Sequence, residues 1–561
     1  MNEKNFKADN IPLNGGKNGP TSKKSGISRR KFIATSAAAT ALTIVPRYVM
    51  GRGFIAPNDK LLVAHVGCGI QGFAELPPLL ACPDFQLVAV CDPETDSRNH
   101  LEFGSGASVP TRVADNIRNL IRNPKWREAI NYVPGGRNVM KEVIDTFYAQ
   151  ERGVDNFSSV NAYNDFRELL DKEDVDIVKI MTPDHLHAAV AIAAMKKGKH
   201  VITHKPLANR LYESDLVIKT AKETGVATYF MPYNSYKSSA DIKAMIDSGA
   251  IGTLKEIHEW SGRPMWQQFL EIPTEHKPIP AGFDWQMWLG PCTDREYHPN
   301  YTHTLFRGWY DFGGGSFADM GHYSMWTVCD TWDLDVPAYA EGYGCKACRT
   351  QNFSTGSYTN DFAFPLSATM HLHYNAKGKR GPIDVFWYDG GMKPAFIPEL
   401  EEDNKLIGNS GVLYVGTKGK ILNGRLIPEA NMKKYMGKNY TPPVERSFGM
   451  PPQGGAAPGG AAPGGAAPGG APASATATPA APRIGSLPPD FDQFIAACKG
   501  GPKTNPANFV SAEALSTMIN LGIVGLRAGT RVEFDPVTRK ITNKPELNHL
   551  LTREYRKGWE L

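Results

Sequence analysis

The sequence has little excess charge of either sign. Its 561 residues include 62 lysines and arginines against 57 aspartates and glutamates, which gives a formal net charge of +5. Domains that bind nucleic acids usually carry a clustered basic surface, and no such cluster of lysine and arginine stands out here. We therefore expect no nucleic-acid partner. The hydrophobic content of 41% and the aromatic content of 10% are those of an ordinary globular protein with a large core.

Cysteine is scarce and scattered. Of the eight cysteines, Cys345 and Cys348 form a single Cys-x-x-Cys pair. A structural zinc site usually needs four ligands, and neither a second pair nor a neighbouring His-x3–5-His motif accompanies these two residues. We therefore assign no metal ligand from the sequence, and the pair stays a candidate disulfide.

The apolar segment near the start, residues 34–45, is too short for a membrane-spanning helix, which needs about 20 apolar residues. It directly follows Ser28, the pair Arg29 and Arg30, Lys31 and Phe32. Paired arginines before a short, weakly apolar segment are typical of a twin-arginine export signal. We expect residues 1–50 to be a disordered start with this signal, the export machinery to be a partner, and the protein to be periplasmic, with an uncleaved signal as an alternative membrane anchor.

Short apolar runs alternate with helical segments between residues 56 and 207. The runs cover residues 61–66, 85–91, 176–181 and 200–203, and an alanine-rich helical segment lies between the last two. Such alternation predicts a doubly wound parallel sheet, a Rossmann domain. Residues 208–450 show longer strands with polar alternation, which predict an α+β domain with a large open, mostly antiparallel sheet.

The remainder of the chain contains an unusual segment. Residues 451–486 are rich in alanine, proline and glycine, and repeat Ala-Ala-Pro-Gly-Gly three times. Such a composition cannot bury enough apolar surface to offset its ordering entropy, so we expect a flexible insertion. Amphipathic patterns then predict helices within residues 487–561.

The first predicted strand runs into a Gly-x-Gly-x-x-Gly motif that predicts a dinucleotide site. Its residues are Gly67, Gly69, Ile70, Gln71 and Gly72. The glycines permit a tight turn, and the helix that follows presents amide donors to a pyrophosphate. Asp92 ends the next strand, where a carboxylate binds the ribose hydroxyls of NAD and repels a 2′-phosphate. NAD is therefore preferred, although Arg98 lies near enough in sequence to leave NADP open.

Polar residues also follow the next two strands, where doubly wound sheets place their ligands. Thr182, Pro183 and His187 come after one strand, and Lys205 ends the other. A lysine beside a nicotinamide can stabilise a developing alkoxide. Much later in the chain, a helix over residues 317–329 would place Asp319, His322 and Tyr323 on one face, an arrangement suited to proton transfer.

Together these motifs resemble the glucose–fructose oxidoreductase, inositol dehydrogenase and MocA family (Gfo/Idh/MocA). The resemblance implies a Rossmann domain, an α/β domain whose open sheet supports homo-oligomers, and C-terminal helices that pack back on the Rossmann domain. It also implies that Lys205 is the lysine of the family's Glu-Lys-Pro motif, that His187 lines the nicotinamide pocket, and that Asp319 is the acid of an Asp-x-x-x-His pair.

This sequence departs from the family pattern at two positions. His204 stands where the family has the glutamate before the lysine, and His322 lies three residues after Asp319, with Tyr323 at the fourth. We prefer His322 as the acid/base because its ordinary pKa is near neutrality, with Tyr323 as the alternative. Candidate substrate contacts are Tyr233, Asn234, Arg307 and Trp309.

The resemblance implies an NAD-dependent oxidoreductase acting on a hydroxyl of a sugar, glycoside or polyol. One alternative is an NAD-dependent glycosidase that works through transient ring oxidation, elimination and re-reduction. Another is a non-catalytic sugar or dinucleotide sensor. Because free NAD is scarce outside the cytoplasm, export predicts a cofactor that is tightly held.

Overall fold

A computed structural model describes residues 59–100, 111–128, 130, 132–231, 237–262, 269–358, 360–442, 487–488, 490–503 and 505–561. The predicted export signal, the insertion at residues 451–486, Tyr233 and Asn234 lie outside these described residues. In the described part of the chain, no helix has both the length and the apolar character needed to cross a membrane.

The first part of the structure contains a six-stranded parallel sheet. Its strands follow the order β5-β2-β1-β6-β7-β8. The strands are β1 (Leu61–Val66), β2 (Phe85–Cys91), β5 (Asn161–Tyr163), β6 (Ile177–Ile180), β7 (His200–His204) and β8 (Thr228–Met231), and a separate antiparallel pair is formed by β3 (Ser97–His100) and β4 (Val133–Gly135). The central strands are buried on both faces, which explains why they are apolar apart from the fully buried His65 in β1 and Lys179 in β6.

Helices connect these strands. They are α1 (Ile70–Ala81), α2 (Thr111–Leu120), α3 (Arg137–Arg152), α4 (Phe166–Lys172), α5 (His187–Lys196) and α6 (Leu211–Thr224). The order of the sheet reverses at β1, from which β2 and β6 lie on opposite sides. Ligands of doubly wound sheets bind at the carboxyl ends of the strands at this position.

The second part is built on a nine-stranded sheet of order β17-β16-β15-β9-β14-β13-β10-β18-β19. Only β9 and β14 pair in parallel. Its strands are β9 (Leu254–Trp260), β10 (Tyr339–Gly344), β13 (Ala368–Tyr374), β14 (Ile383–Tyr388), β15 (Gly411–Gly416), β16 (Lys420–Leu422), β17 (Arg425–Ile427), β18 (Val532–Asp535) and β19 (Lys540–Ile541), and β11 (Ala347–Gln351) and β12 (Ser354–Tyr358) form a hairpin. The fold class predicted from the sequence is therefore confirmed.

Seven further helices follow along the chain within the described residues. They are α7 (Lys237–Asp247), α8 (Trp285–Leu289), α9 (His322–Trp332), α10 (Glu399–Glu402), α11 (Glu429–Met436), α12 (Phe491–Cys498) and α13 (Glu513–Ala528). Helix α13 covers β10 and β13, whose residues alternate between buried and half-buried along β13. The helix approaches so closely that a Cβ on Gly342 would lie 2.8 Å from the backbone of Leu526.

The C-terminal segment joins both parts of the structure. Phe491 of α12 packs on Phe85 and Tyr229 of the parallel sheet, with ring centroids 5.9 and 4.8 Å apart. Strands β18 and β19 extend the nine-stranded sheet. Near the end of the chain, Arg553 forms a buried ion pair with Glu213 of α6. The polypeptide thus returns to the Rossmann domain after completing the second sheet.

Candidate active site

A cavity of about 450 Å³ lies at the carboxyl ends of the parallel strands. It is bounded on one side by strand ends of the parallel sheet and on the other by residues 303–323. Twelve of the residues singled out in the sequence line it: Gly67, Gly69, Ile70, Gln71, Asp92, Thr182, Pro183, His187, Lys205, Arg307, Asp319 and Tyr323. The structure therefore brings the predicted cofactor motif and the predicted catalytic lysine to one site.

The glycine turn has the geometry that its sequence requires. Gly67 adopts a φ of +99°, and a Cβ there would lie 2.4 Å from the carbonyl carbon of Met181. Gly72 does not line the cavity. It packs behind the turn, where a Cβ would lie 2.7 Å from the oxygen of Gly67. Helix α1 begins at Ile70, so its first amides are directed at the cavity as donors for a pyrophosphate.

The carboxylate of Asp92 is oriented by the main chain. Its Oδ2 accepts the N–H of Cys68 at 2.6 Å, and its Oδ1 accepts the N–H of Glu94 at 2.8 Å. Burial raises the pKa of Asp92, while these two hydrogen bonds oppose the shift. The guanidinium of Arg98 lies 5.3 Å from the ring centroid of Tyr132, and Arg98 is not among the residues that line the cavity. This arrangement fits the ribose of NAD, and the cation next to Asp92 is Arg137, whose guanidinium donates to the carbonyl of Asp92 at 2.8 Å.

His187 is held by two backbone carbonyls. Its Nδ1 lies 2.5 Å from the oxygen of Pro206, and its Nε2 lies 2.9 Å from the oxygen of Thr182. Burial lowers the pKa of His187, while the charge of Asp184 and the two carbonyl contacts oppose the shift. Because both nitrogens face carbonyl oxygens, the ring contributes shape to the pocket and has no nitrogen free for proton transfer.

Lys205 and Asp319 form a buried ion pair at the centre of the site. The Nζ of Lys205 contacts the Oδ1 of Asp319, and the Nε of Arg307 lies 3.7 Å from the same oxygen. Burial, followed by the charge of Arg307, lowers the pKa of Lys205 well below its usual value. The contacting carboxylate favours the ammonium form, so the pair retains a proton that can be exchanged with a bound hydroxyl.

The preference for His322 over Tyr323 is corrected by the structure. Residues Phe317–Gly321 form a π-helical turn, and α9 begins only at His322. In an α-helix, His322 and Tyr323 would both lie on the face of Asp319, because they follow it by three and four residues. In the wider π turn, His322 no longer lies on the face of Asp319. Tyr323 therefore lines the cavity with Asp319, its ring centroid 5.5 Å from the Nζ of Lys205.

His322 itself is part of the core. Its side chain is 1% exposed, and its Nδ1 donates to the carbonyl of Ala318 at 2.6 Å. The ring packs edge-on against Phe230, with centroids 5.5 Å apart. Burial lowers the pKa of His322 to about 3. Because the ring is neutral and does not line the cavity, it cannot serve as the acid/base of this site.

Trp309 also differs from its prediction as a substrate contact. It is 1% exposed, stacks on Phe269 with ring centroids 4.2 Å apart, and donates its indole N–H to the oxygen of Asn300 at 2.7 Å. It belongs to an aromatic core cluster beside the cavity. Arg307, two residues earlier, does line the cavity. Because the two residues are so close in sequence, no periodic pattern indicates that Trp309 is in the core and that Arg307 lines the cavity.

The unusual His204 has a carboxylate partner from another element. Its Nε2 lies 3.0 Å from the Oε1 of Glu75 on α1, and the Oε2 of Glu75 lies 2.5 Å from the Nζ of the fully buried Lys179. Burial raises the pKa of Glu75, but Lys179 and His204 outweigh it and hold this pKa well below its usual value. Glu75 thus supplies a carboxylate near Lys205, although the residue before this lysine is His204 and not the glutamate of the family motif.

Several lining residues were missed in the sequence. They are Glu94, His100, Trp288, His303, Thr304, Phe306 and Met320. Among them, only Glu94 could have been predicted from the sequence, because it lies two residues after Asp92, just beyond the end of the same strand. The others come from loops and irregular turns, where no periodicity marks the residues that face a ligand.

Comparison with known proteins supports this reading of the fold. Residues 135–233 match the model of an oxidoreductase family described as having an NAD-binding Rossmann fold. Residues 237–331 match the model of the same family's C-terminal α/β domain. The glycine turn lies before the first match, and Lys205 and Asp319 lie within the two matches.

Curated relatives are similar over part of their length. The levoglucosan dehydrogenase of Pseudarthrobacter phenanthrenivorans is 35% identical over 115 residues, which are 19% of this chain and 29% of the relative. The α-N-acetylgalactosaminidase of Shewanella oneidensis is 26% identical over 248 residues, 41% of this chain and 44% of the relative. The chain thus spans less than half the length of these relatives.

Among solved structures, the WlbA dehydrogenase from Bordetella pertussis, in complex with NADH and UDP-GlcNAcA, has a TM-score of 0.42 at 15% identity. That match covers 85% of this chain and 99% of the other. At this score the similarity carries no information about activity. Residues 135–233 and 237–331 thus match, in that order, the models of the NAD-binding Rossmann domain and the C-terminal α/β domain of the Gfo/Idh/MocA oxidoreductase family.

Proposed function

We propose that the protein is an NAD-dependent dehydrogenase that oxidises a hydroxyl group of a sugar or polyol. The observation that carries the proposal is the buried pair of Lys205 and Asp319, which lies in the same cavity as the glycine turn and Asp92. A dinucleotide held by that turn has its reactive end directed along the strand ends, toward the lysine. The residues present fit this cofactor, because the turn supplies amides and Asp92 supplies the acceptor for ribose hydroxyls.

Different residues of the site carry out different parts of the reaction. Oxidation of a secondary alcohol removes a proton from the oxygen and a hydride from the carbon, and bound NAD supplies the hydride acceptor. The Lys205–Asp319 pair accepts the hydroxyl proton when Lys205 is in its neutral form, which burial favours by lowering the pKa of the lysine well below its usual value. Arg307 stabilises negative charge on the substrate oxygen, and the hydroxyl of Tyr323 orients it.

The substrate class follows from the opposite wall of the cavity. Trp288 and Phe306 present aromatic surface there, and Arg307 and Thr304 add polar groups. Flat rings pack on the C–H faces of a sugar, while polar groups hydrogen-bond its hydroxyls. Levoglucosan is the first compound to test, because one relative is a dehydrogenase of that anhydrosugar.

The test is a screen of purified protein with levoglucosan, monosaccharides, disaccharides and polyols, in which NADH formation and the keto product are both measured. We expect one class of sugar to reduce added or bound NAD, and Lys205→Met to abolish the reaction while NAD binding persists. If NAD binds but no sugar is oxidised under any condition, the proposed activity is wrong.

A redox-assisted glycosidase is the second candidate. It is favoured by the relatives named as glycosyl hydrolase family 109 proteins and as an α-N-acetylgalactosaminidase. In such a reaction the ring is oxidised, the aglycone is eliminated, water is added and the ring is reduced again, so NAD is regenerated. Release of an aryl alcohol from aryl glycosides without net NADH would favour this candidate over the dehydrogenase.

We also propose that the protein is exported with NAD already bound and forms homo-oligomers through its open sheet. The paired Arg29 and Arg30 motivate the first statement, and the half-buried outer face of the nine-stranded sheet motivates the second. Cell fractionation of an Arg29→Lys/Arg30→Lys variant tests export, because the variant should remain in the cytoplasm. Mass spectrometry of the gently denatured protein tests retention, and the absence of nicotinamide would contradict it.

A further inference from the structure

Three side chains with metal-binding atoms meet at the edge of the cavity, away from Lys205 and Asp319. They are Glu94 after β2, His100 at the end of β3, and His303 at the start of a 3-10 turn. One ligand atom from each lies within 4.8 Å of the others. The two imidazole rings are 4.1 Å apart between centroids, and the Nε2 of His100 lies 3.9 Å from the Oε2 of Glu94.

The main chain holds each of the three residues in place. The N–H of Glu94 donates to Asp92, and its carbonyl accepts the N–H of Arg137 at 2.9 Å. The ring of His100 lies between two glycines: a Cβ on Gly135 would be 2.3 Å from it, and a Cβ on Gly69 would be 3.2 Å from it. Any larger residue at Gly135 would displace the imidazole from this position.

His303 reaches the cluster through an unusual backbone conformation. Its φ of +51° lies in the left-handed region, which a residue with a side chain rarely adopts. Strained backbone of this kind concentrates at sites where a side chain must be presented to a ligand. The 3-10 turn that His303 opens continues through Arg307, so the cluster is connected directly to the proposed substrate side of the cavity.

The electrostatic environment suits a cation. Burial lowers the pKa of His100 to about 4 and that of His303 well below its usual value, so both imidazoles are neutral and retain a lone pair for a metal. Burial and the nearby Asp92 raise the pKa of Glu94 to about 8. A carboxyl group that is 5% exposed and lies beside a second carboxylate is stabilised in its charged form by a bound cation.

The geometry points to a metal site: we propose that Glu94, His100 and His303 bind one divalent transition-metal ion, with zinc as the probe. Zinc–nitrogen and zinc–oxygen bonds are about 2.0–2.2 Å, so the ligand atoms of a tetrahedral zinc ion lie about 3.4 Å from each other. Ligand atoms that lie up to 4.8 Å apart therefore need to approach by up to about 1.4 Å. Two histidines and one carboxylate leave at least one coordination position open.

Glu94, His100 and His303 line the same cavity as the glycine turn and Asp92, so a ligand in that cavity would reach an ion bound by the three residues. An oxygen of a ligand bound in that cavity, whether a phosphate or a hydroxyl oxygen, is the fourth ligand that the open coordination position accepts. Because Gly69 lies beside His100, we expect the ion to strengthen dinucleotide retention. The metal site stands independently of the proposed dehydrogenase reaction, since metal binding is measured without substrate.

The experiment uses the full chain, stripped with a chelator and dialysed, and titrated with zinc chloride in competition with a chromophoric chelator. We expect one zinc ion per chain, with a dissociation constant below about 1 µM, and at least a tenfold weakening in each of Glu94→Gln, His100→Ala and His303→Asn. Glu94→Gln is isosteric and guards against a loss of binding through misfolding, and circular dichroism checks each variant.

Two control variants separate this site from other zinc ligands. His549→Ala removes an exposed imidazole that contacts only the carbonyl of Glu546, and should leave the affinity unchanged. The double variant Cys345→Ser/Cys348→Ser removes the two exposed thiols and should also leave it unchanged. Zinc binding that survives His100→Ala and His303→Asn, or is lost only with the two cysteines, overturns the proposal, as does the absence of one-to-one binding.

Discussion

The two walls of the cavity are held in different ways. On the Rossmann wall, formed by the ends of β1, β2, β6 and β7, polar side chains are fixed by the backbone. Asp92 accepts two main-chain N–H groups, and His187 lies between two carbonyls. On the facing wall, residues 303–323, Asp319 is held instead by Lys205 and Arg307. The groups that bind the cofactor are therefore held by the main chain, whereas the reactive pair, Lys205 on the Rossmann wall and Asp319 on the facing wall, depends on pairing between side chains.

This difference predicts that substitutions on the two walls have separable effects. Changes at the Lys205–Asp319 pair should lower the rate of reaction and leave dinucleotide binding intact. Changes at the glycine turn should do the opposite, because the turn touches the cofactor and none of the reacting atoms. Four measurements test this difference between the two walls.

The largest effect is expected at the ion pair. Lys205→Met and Asp319→Asn should each lower kcat by about 10²- to 10⁴-fold, the usual contribution of a positioned acid or base. Fluorescence titration should show NAD binding within about threefold of the parent protein. Lys377→Met is the matched control, because it breaks an exposed pair with Asp333 and should change neither quantity. Loss of NAD binding in Asp319→Asn would contradict the separation of the two walls.

The second effect concerns the glycine turn. Gly67→Ala should weaken NAD binding by roughly 100-fold, since the new Cβ meets the Met181 backbone and φ is positive. Gly356→Ala adds the same atom in a hairpin where nothing lies within 4 Å, and should leave binding unchanged. Isothermal titration of both variants provides the measurement. If Gly67→Ala lowers kcat at saturating NAD instead, the turn does more than hold the cofactor.

The third effect tests the correction at the π turn. Tyr323→Phe removes the hydroxyl of a residue that lines the cavity and should lower kcat about tenfold. His322→Asn should leave kcat within about twofold and lower thermal stability, because His322 packs in the core. The pH dependence of kcat should keep its shape in His322→Asn. If the acid or the alkaline side of the pH profile of kcat disappears in His322→Asn, His322 is the acid/base after all.

Sequence patterns predicted the Rossmann wall well and the facing wall poorly, for a physical reason. Strand ends and glycine turns are local and periodic, so Gly67, Asp92 and Lys205 were found by their place after apolar runs. The position of Asp319 was found by resemblance to a family motif. His322 was preferred to Tyr323 because the ordinary pKa of an imidazole is near neutrality, and hydrophobic periodicity does not reveal the π turn that precedes His322.

Other features depended on contacts between distant parts of the chain. Glu75 supplies a carboxylate to His204 across the strand–helix interface, and no spacing rule joins these two residues. His100 and His303 approach each other only when the second domain folds against the first. Trp309 and Arg307 are two residues apart, yet one is in the core and the other lines the cavity. Burial of this kind is decided by tertiary packing, which a single sequence leaves open.

The smallest effect concerns the pH dependence of stability that the buried His322 causes. Burial lowers the pKa of His322 to about 3, whereas the unfolded chain has the ordinary value near 6.5. Below pH 6.5 the unfolded state therefore binds one more proton than the folded state at this residue, and stability falls as the pH falls. The loss from His322 should be about 1.4 kcal/mol per pH unit between roughly pH 6 and 4.

Comparison with His322→Asn isolates this contribution from other titrating groups. His65, His185 and His204 have pKa values lowered by burial in the same direction, while the raised pKa of Glu94 acts in the opposite one. These groups are common to both proteins and cancel in the difference. Denaturant unfolding at pH 7, 6 and 5 should show the stability deficit of His322→Asn shrinking with each step toward acid. A deficit that stays constant with pH would mean that His322 has the same pKa in the folded and the unfolded chain, and hence that it reaches solvent or the cavity after all.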